Sequence, residues 1–153
     1  MIGEAPQVAS SVPHMDEVVG VIFTTMMRCR CVRVAGDAKQ AATIFACVDF
    51  AKGRSYECEV MLGKEDADAL VYLLTGMADE SLRADVAGEL CNMIAGGWMD
   101  RRGSATERLE LFPPRTGALG RGLEGAGFSV IFSGTYSFGT GCFSVRLRCM
   151  DAH

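Results

Sequence analysis

Residues 85–98, DVAGELCNMIAGGW, decide the fold of this chain because they read as the middle of one long amphipathic helix. At about 100° of rotation per residue, apolar side chains fall on one arc of that helix and polar side chains on another. The apolar arc comprises Val86, Leu90, Met93, Ile94 and Trp98. The polar arc, called the polar stripe below, comprises Asp85, Glu89, Asn92 and Gly96. The sequence therefore predicts a helix with one face in the core and a polar stripe at the surface.

The polar stripe places a carboxamide beside two carboxylates. Asp85 and Glu89 are four residues apart and Glu89 and Asn92 are three apart, so the three side chains are neighbours on a helix. Gly96 continues the stripe without a side chain, so another surface could approach the helix closely there.

Length and composition predict one compact domain. The chain has 153 residues, 49% of them apolar, which is enough for a sizeable core. The apolar runs are too short and too interrupted to span a bilayer, and residues 1–7 lack the pattern of a signal peptide. Seven cysteines in such a chain are expected to be reduced thiols, which indicates a cytoplasmic protein. A net charge of -4 argues against nucleic acid as a partner.

The order of the segments predicts an α+β domain. Residues 1–12 are expected to form a flexible arm, and residues 13–153 the folded domain. A first helix is expected to follow Pro13, and three strands, forming an antiparallel meander, are predicted at Cys29–Ala35, Ala42–Ala51 and Arg54–Leu62. Two helices follow, from Lys64 to Leu74 and from near Asp79 to Arg102. Strands are then predicted at Glu107–Phe112, Phe128–Ser137 and Cys142–Met150, which makes the order α-βββ-αα-βββ.

Two details of the strands carry further expectations. Residues 54–62 alternate, with Tyr56 and Cys58 among the residues of one face and Glu57 and Glu59 among those of the other, as is typical of a half-buried strand. The segment Gly139-Thr140-Gly141 predicts a tight hairpin turn between the last two strands.

The whole chain resembles the CheC/CheX/FliY family of chemotaxis phosphatases, and most of all its CheX branch. The motif of that branch is Asp or Ser, three residues, Glu, two residues, Asn, and a proline about 22 residues further on. Asp85, Glu89 and Asn92 match this spacing, and Pro114 follows Asn92 after 21 residues, with Pro113 as the alternative match. The chain carries the motif once, as the CheX branch does, whereas the CheC branch carries it twice.

This resemblance implies hydrolysis of the aspartyl phosphate on a CheY-like receiver domain of a response regulator. In the family picture Asn92 orients the attacking water and Glu89 pairs with a receiver lysine, while Asp85, Gly96 and Pro114 contribute to binding the partner. The receiver supplies Mg²⁺, so the chain needs no cofactor of its own. The resemblance also implies a homodimer in which sheet edges meet. The alternative is a binding module, like the related rotor-switch proteins such as FliM, that binds a receiver or another signalling partner without turnover.

Two other patterns in the sequence are better explained by structure than by function. Residues 120–125 match the string G-x-G-x-x-G, but the following residues read as a strand, whereas a dinucleotide site requires a helix there. Cys29 and Cys31 have no further cysteine or histidine pair to complete a zinc site, so we expect these two cysteines to act as buried thiols.

Overall fold

The computed structural model of the protein describes residues 14–35, 42–52, 54–102, 110–117 and 128–150. The arm predicted over residues 1–12 lies outside these ranges, as do the G-x-G-x-x-G string and the first part of the strand predicted at Glu107–Phe112. Within the described residues, no helix combines the length and the apolar character needed to cross a bilayer.

The described ranges contain three helices where the sequence predicts them. Helix α1 covers residues 14–22 and continues as a π-helical turn, Phe23–Met27. Helix α2 is Lys64–Thr75 and ends at Gly76, whose φ of 75° is the left-handed conformation that glycine adopts without strain. Helix α3 is Arg83–Arg102, and a 3-10 turn at Glu80–Leu82 leads into it. Asp79 caps that turn by accepting a 3.0 Å hydrogen bond from the Ser81 N–H.

In the part of the chain that the structure describes, seven strands form one antiparallel sheet. They are β1 Cys31–Val34, β2 Ile44–Lys52, β3 Arg54–Leu62, β4 Glu110–Leu111, β5 Arg115–Gly117, β6 Phe128–Phe138 and β7 Gly141–Met150. The sheet order is β1-β6-β7-β3-β2-β4, and β5 also pairs with β2. The α+β class and a single domain are thus confirmed, and the turn at Gly139 joins β6 to β7 as predicted. The short strand β5 was not predicted, because three residues after two prolines carry no alternating pattern of their own.

The predicted meander of the first three strands is wrong at β1. Strand β1 pairs with β6, from Cys31 opposite Phe138 to Val34 opposite Thr135, and lies at the far edge of the sheet from β2. A network around Asp16 of α1 accompanies this arrangement. The Asp16 carboxylate accepts hydrogen bonds from Tyr136 of β6 at 2.6 Å and from Arg33 of β1 at 3.0 Å. Such distant partners cannot be identified from the alternation within a single strand.

The hydrophobic core lies between one face of the sheet and the three helices. Helix α3 packs across β2 and β3, and α2 packs on α3 and β7. The sheet contributes Ala46, Val48, Cys58, Val60 and Leu147, among others, each with no exposed surface. This layer fixes which face of α3 turns inward.

The opposite face of the sheet is also covered at its centre, so β3 is not half-buried as its alternation predicts. Glu57 has 0% and Glu59 2% of its surface exposed. Both glutamates pair with arginines of the neighbouring strand β7, where Glu57 stands opposite Arg148 and Glu59 opposite Arg146. Opposite charges in register stabilise these carboxylates in a position where an unpaired charge would be destabilising.

Candidate functional site on helix α3

The structure places the polar stripe on the surface of α3, as the helical spacing predicts. Asp85 and Glu89 are exposed, and Asn92 and Gly96 are half-buried. The apolar arc faces the core: Leu90, Ile94 and Trp98 have no exposed surface, Val86 is 7% exposed, and Met93 packs against the core while remaining half-buried. The stripe is therefore carried by a helix whose other side is embedded in the core.

Packing on the buried side holds α3 in position. The Trp98 ring lies edge-on to the rings of Phe50 and Tyr56, with centroids 6.5 and 5.5 Å apart. The Cys91 thiol donates to the Cys58 carbonyl oxygen at 3.1 Å, and burial raises the pKa of this thiol well above its ordinary value. Cys91 thus acts as a small core residue with a weak hydrogen bond.

The start of α3 is tied to α2 by a bidentate ion pair. Arg83 donates to both Asp68 carboxylate oxygens, from Nε at 2.7 Å and from Nη2 at 2.8 Å. These hydrogen bonds lower the pKa of the Asp68 carboxyl below its ordinary value. The pair fixes the N-terminal turn of α3 two residues before Asp85, where the polar stripe begins.

Pro114 contacts the motif helix beside the stripe. A Cβ placed on Gly88 would lie 3.3 Å from Pro114 Cγ and 3.3 Å from Thr116 Cγ2. Gly88 is three residues after Asp85 and four before Asn92, so Pro114 borders the stripe on the side of these two residues. The structure therefore brings Pro114 next to the helix despite the shorter spacing in the sequence, and Pro113 is the adjacent exposed residue.

Gly96 leaves open space at the C-terminal end of the stripe. Among the described residues, no heavy atom lies within 4 Å of the position that a Cβ on Gly96 would occupy, apart from its two chain neighbours and the nearby helix backbone. Another protein could thus approach the backbone of α3 at this residue.

The side chains of the stripe are available to an external partner. Among the described residues, Asp85, Glu89 and Asn92 have no side-chain hydrogen bond or ion pair within the protein. A carboxylate can pair with a cationic side chain of a partner, and a carboxamide can donate and accept hydrogen bonds at the same time. The arrangement is suited to recognising a basic group and to orienting a small polar molecule beside it.

Sequence reasoning missed a second group of polar side chains, on the face of the sheet away from the helices. The group consists of Cys47, Asp49, Glu57, Glu59, Arg115, Arg146 and Arg148. The sequence signal that could have revealed this group is that its residues other than Arg115 stand at alternating positions of β2, β3 and β7. Only the pairing of the strands shows that the carboxylates and guanidinium groups meet. Strand β5 completes the group by placing Arg115 opposite Cys47.

Comparison with known proteins relates the chain to others by structure. No family model and no curated protein matches the sequence. Among solved structures, the CheX–CheY–BeF₃–Mg²⁺ complex from Borrelia burgdorferi matches with a TM-score of 0.71 at 12% identity, over 92% of this chain and 98% of that chain. CheX from Vibrio vulnificus matches with a TM-score of 0.70 at 14% identity, over 93% and 99% of the two chains.

The same fold extends to the middle domain of FliM. The FliM middle domain from H. pylori matches with a TM-score of 0.56 at 11% identity, over 95% of this chain and 92% of that chain. The matches cover nearly the full length of both partners in each comparison, so they concern the whole domain and not one motif. The chain has the fold shared by the CheX, CheC-like, FliM and FliY proteins.

Proposed function

We propose that this protein is a CheX-like phosphatase that hydrolyses the aspartyl phosphate of a CheY-like receiver domain. The observation that carries the proposal is the polar stripe. Asp85, Glu89 and Asn92 have the spacing of the CheX motif, lie side by side on the exposed face of α3, and have Pro114 beside them.

The chemistry assigns separate roles to Asn92 and Glu89. Phosphoryl transfer to water requires a nucleophile held in line and compensation of the developing charge, more than covalent chemistry from the protein. The Asn92 carboxamide holds the attacking water by donating and accepting hydrogen bonds. Glu89 pairs with a lysine of the receiver and fixes the orientation of the complex. Asp85 adds to binding at the N-terminal end of the stripe.

The partner surface extends beyond these three side chains. The open space at Gly96 admits the receiver close to the helix backbone, and Pro114 borders the stripe on the side of Asp85 and Asn92. In this proposal Mg²⁺ comes with the receiver, which uses it to neutralise charge on the phosphoryl oxygens. The similarity to a CheX solved together with CheY, BeF₃ and Mg²⁺ supports the choice of partner.

The proposal includes a homodimer and a cytoplasmic location. Strand β1 is the last strand at one end of the sheet order, and Val32 and Val34 on it are 43% and 37% exposed. An exposed apolar edge strand is a site for pairing with another chain. Joining two β1 edges would cover these valines and leave the stripe on α3 of each protomer accessible.

The alternative is a binding module that docks a receiver or another signalling protein without hydrolysing its phosphate. Its support is the structural similarity to the FliM middle domain, which extends over 95% of this chain. The two functions share the docking surface and differ in whether Asn92 accelerates loss of phosphate from the bound receiver.

The decisive experiment measures the lifetime of receiver phosphate. Purified protein is added to each phosphorylated receiver of the host, and the loss of phosphate is compared with the receiver's own rate. The proposal expects faster loss for at least one receiver and no acceleration by Asn92→Ala. Binding of a phosphorylated receiver with an unchanged phosphate lifetime would instead identify the binding module.

A further inference from the structure

The polar group on the sheet face away from α3 contains three potential metal ligands at one place. Cys47 and Asp49 alternate with core residues of β2, and Glu57 stands opposite Asp49 on β3. One ligand atom from each of these residues lies within 4.8 Å of the others. Asp49 is half-buried, whereas Cys47 and Glu57 are buried, so the cluster has a closed interior and one side towards solvent.

A buried oxygen atom points into this cluster without a hydrogen bond. Glu57 has no exposed surface, and its Oε1 accepts a 2.5 Å hydrogen bond from Arg148, which fixes the carboxylate. The other oxygen, Oε2, is buried and accepts no hydrogen bond from any of the described residues. Its cationic neighbour is Arg115 Nη2, at 3.6 Å, which is beyond hydrogen-bond distance. A carboxylate oxygen in this state has a free coordination position.

One nitrogen atom occupies the point where the three ligands meet. Arg115 Nη2 lies 3.2 Å from Cys47 Sγ, 3.1 Å from Asp49 Oδ1 and 3.6 Å from Glu57 Oε2. The Arg115 side chain is 46% exposed and belongs to the short strand β5. It can therefore turn into solvent without leaving an unsolvated charge behind, which a buried arginine could not do.

We propose that Cys47 Sγ, Asp49 and Glu57 Oε2 form a binding site for a divalent metal ion of the zinc type, and that Arg115 occupies this site when the metal is absent. A thiolate with two carboxylates suits a borderline ion such as Zn²⁺ and disfavours Mg²⁺ and Ca²⁺, which prefer oxygen ligands alone. Water from the Asp49 side completes a fourth position. This site is separate from the polar stripe and does not depend on the function proposed for it.

The exchange conserves charge at the site. Without metal, three carboxylates, of Asp49, Glu57 and Glu59, face three guanidinium groups, of Arg115, Arg146 and Arg148. Binding adds two positive charges with the ion. Release of the Cys47 proton to solvent removes one, and the movement of Arg115 out of the cluster removes the other. The buried network is thus left with the same net charge as before.

Geometry and acid–base chemistry agree with this exchange. Metal bonds of about 2.0–2.3 Å in a tetrahedral site place ligand atoms roughly 3.3–3.8 Å apart, so ligand atoms that lie within 4.8 Å of one another must close by about 1 Å. Burial, together with the Glu57 charge, raises the pKa of the Cys47 thiol above its ordinary value. A cysteine binds a metal ion as the thiolate, so metal binding releases a proton and must become stronger as the pH rises.

The test uses Co²⁺ as a spectroscopic substitute for Zn²⁺, with the full chain, free of any tag and under reducing conditions. We expect one equivalent of Co²⁺ to produce a thiolate-to-cobalt absorption band, and Zn²⁺ to abolish it by competition. Cys47→Ser should eliminate the band, and Asp49→Asn should weaken binding roughly tenfold or more. Arg115→Gln should strengthen binding roughly tenfold, because it removes the competing cation. Cys142→Ser, at a half-buried thiol outside the cluster, is the matched control and should bind as the unchanged protein does.

Each result decides for or against the site. A band that persists in Cys47→Ser but disappears in Cys142→Ser would overturn the assignment, as would the absence of binding in both the unchanged protein and Arg115→Gln. Equal affinity of Arg115→Gln and the unchanged protein would refute the exchange with Arg115. Far-ultraviolet circular dichroism establishes that each variant is folded, and Asp49→Asn, at a half-exposed position, tests the site even if Cys47→Ser does not fold.

Discussion

Gly97 of α3 packs so closely on Val18 of α1 that a Cβ on the glycine would lie 2.9 Å from Val18 Cγ1. A Cβ on the preceding residue, Gly96, would instead enter space that the other described residues leave open. Replacing glycine by alanine inside a helix stabilises it by about 0.5–1 kcal/mol through the backbone alone. We therefore expect Gly96→Ala to increase the free energy of unfolding by this amount. Gly97→Ala should decrease it, because overpacking costs about 1–3 kcal/mol.

Urea unfolding of Gly96→Ala and Gly97→Ala measures the free energy of unfolding of each variant and compares the two neighbouring positions of one helix. Equal effects would mean that α1 does not pack on α3 at Val18 in solution.

The two faces of α3 should respond differently to truncation. Leu90 and Ile94 have no exposed surface, so Leu90→Ala or Ile94→Ala should cost about 2–5 kcal/mol. Glu89→Ala and Asn92→Ala should change stability by less than about half a kcal/mol, because they lie on the accessible side of the helix. Chemical denaturation of the four variants tests this, and large destabilisation by either change in the stripe would contradict the exposure of these side chains.

The residues of the stripe should separate catalysis from binding. Asn92→Ala is expected to lower the phosphate-loss rate at saturating phospho-receiver while binding is kept, because the water-orienting interaction matters mostly in the transition state. Glu89→Gln should chiefly weaken binding and reduce its dependence on salt, because an interfacial ion pair is lost. Asp85→Asn should have a smaller effect than either.

The measurement for these variants is a time course of phosphate loss across receiver concentrations, with the receiver's own rate subtracted. A wild-type saturated rate for Asn92→Ala would exclude the water-orienting role and favour the binding module.

The buried pair of Glu57 and Arg148 should be sensitive to loss of one partner. Their side chains are 0% and 6% exposed, so Glu57→Gln leaves a guanidinium group in the sheet without its main counter-charge. Removing one member of a buried pair costs about 3–5 kcal/mol. The double variant Glu57→Leu, Arg148→Met should recover much of this loss. Glu110→Gln, at an exposed strand position, is the matched control, and equal destabilisation by the two glutamine variants would contradict the pairing.

The dimer predicted through strand β1 should depend on the outer edge of that strand. We expect sedimentation to give a dimer at micromolar concentration and Val32→Lys to shift it towards monomer, because a lysine on an edge strand opposes pairing with another chain. Val21→Lys, at a similarly exposed valine of α1, should leave the dimer intact. A monomer at micromolar concentration for the unchanged protein would rule out the predicted assembly.

The local features of this chain could be predicted from the sequence by itself. Helical periodicity placed Leu90 and Ile94 in the core and Glu89 on the surface, because side-chain direction along a helix depends only on the spacing of residues. Turn chemistry placed a turn at Gly139, because glycine adopts the positive φ found there at little cost. The motif on α3, and the resemblance that it carries, are also properties of spacing within one segment.

Only the tertiary structure decided which distant segments meet. Strand β1 pairs with β6 and not with β2, and Glu57 is buried although its strand alternates like a half-exposed one. Pro114 packs on Gly88, and the next residue, Arg115 of β5, reaches Cys47. Strand β5 is too short to be recognised from its own sequence. The alternation within a strand specifies its two faces but not its neighbours or what covers each face. Those depend on the combined packing of the sheet and the helices.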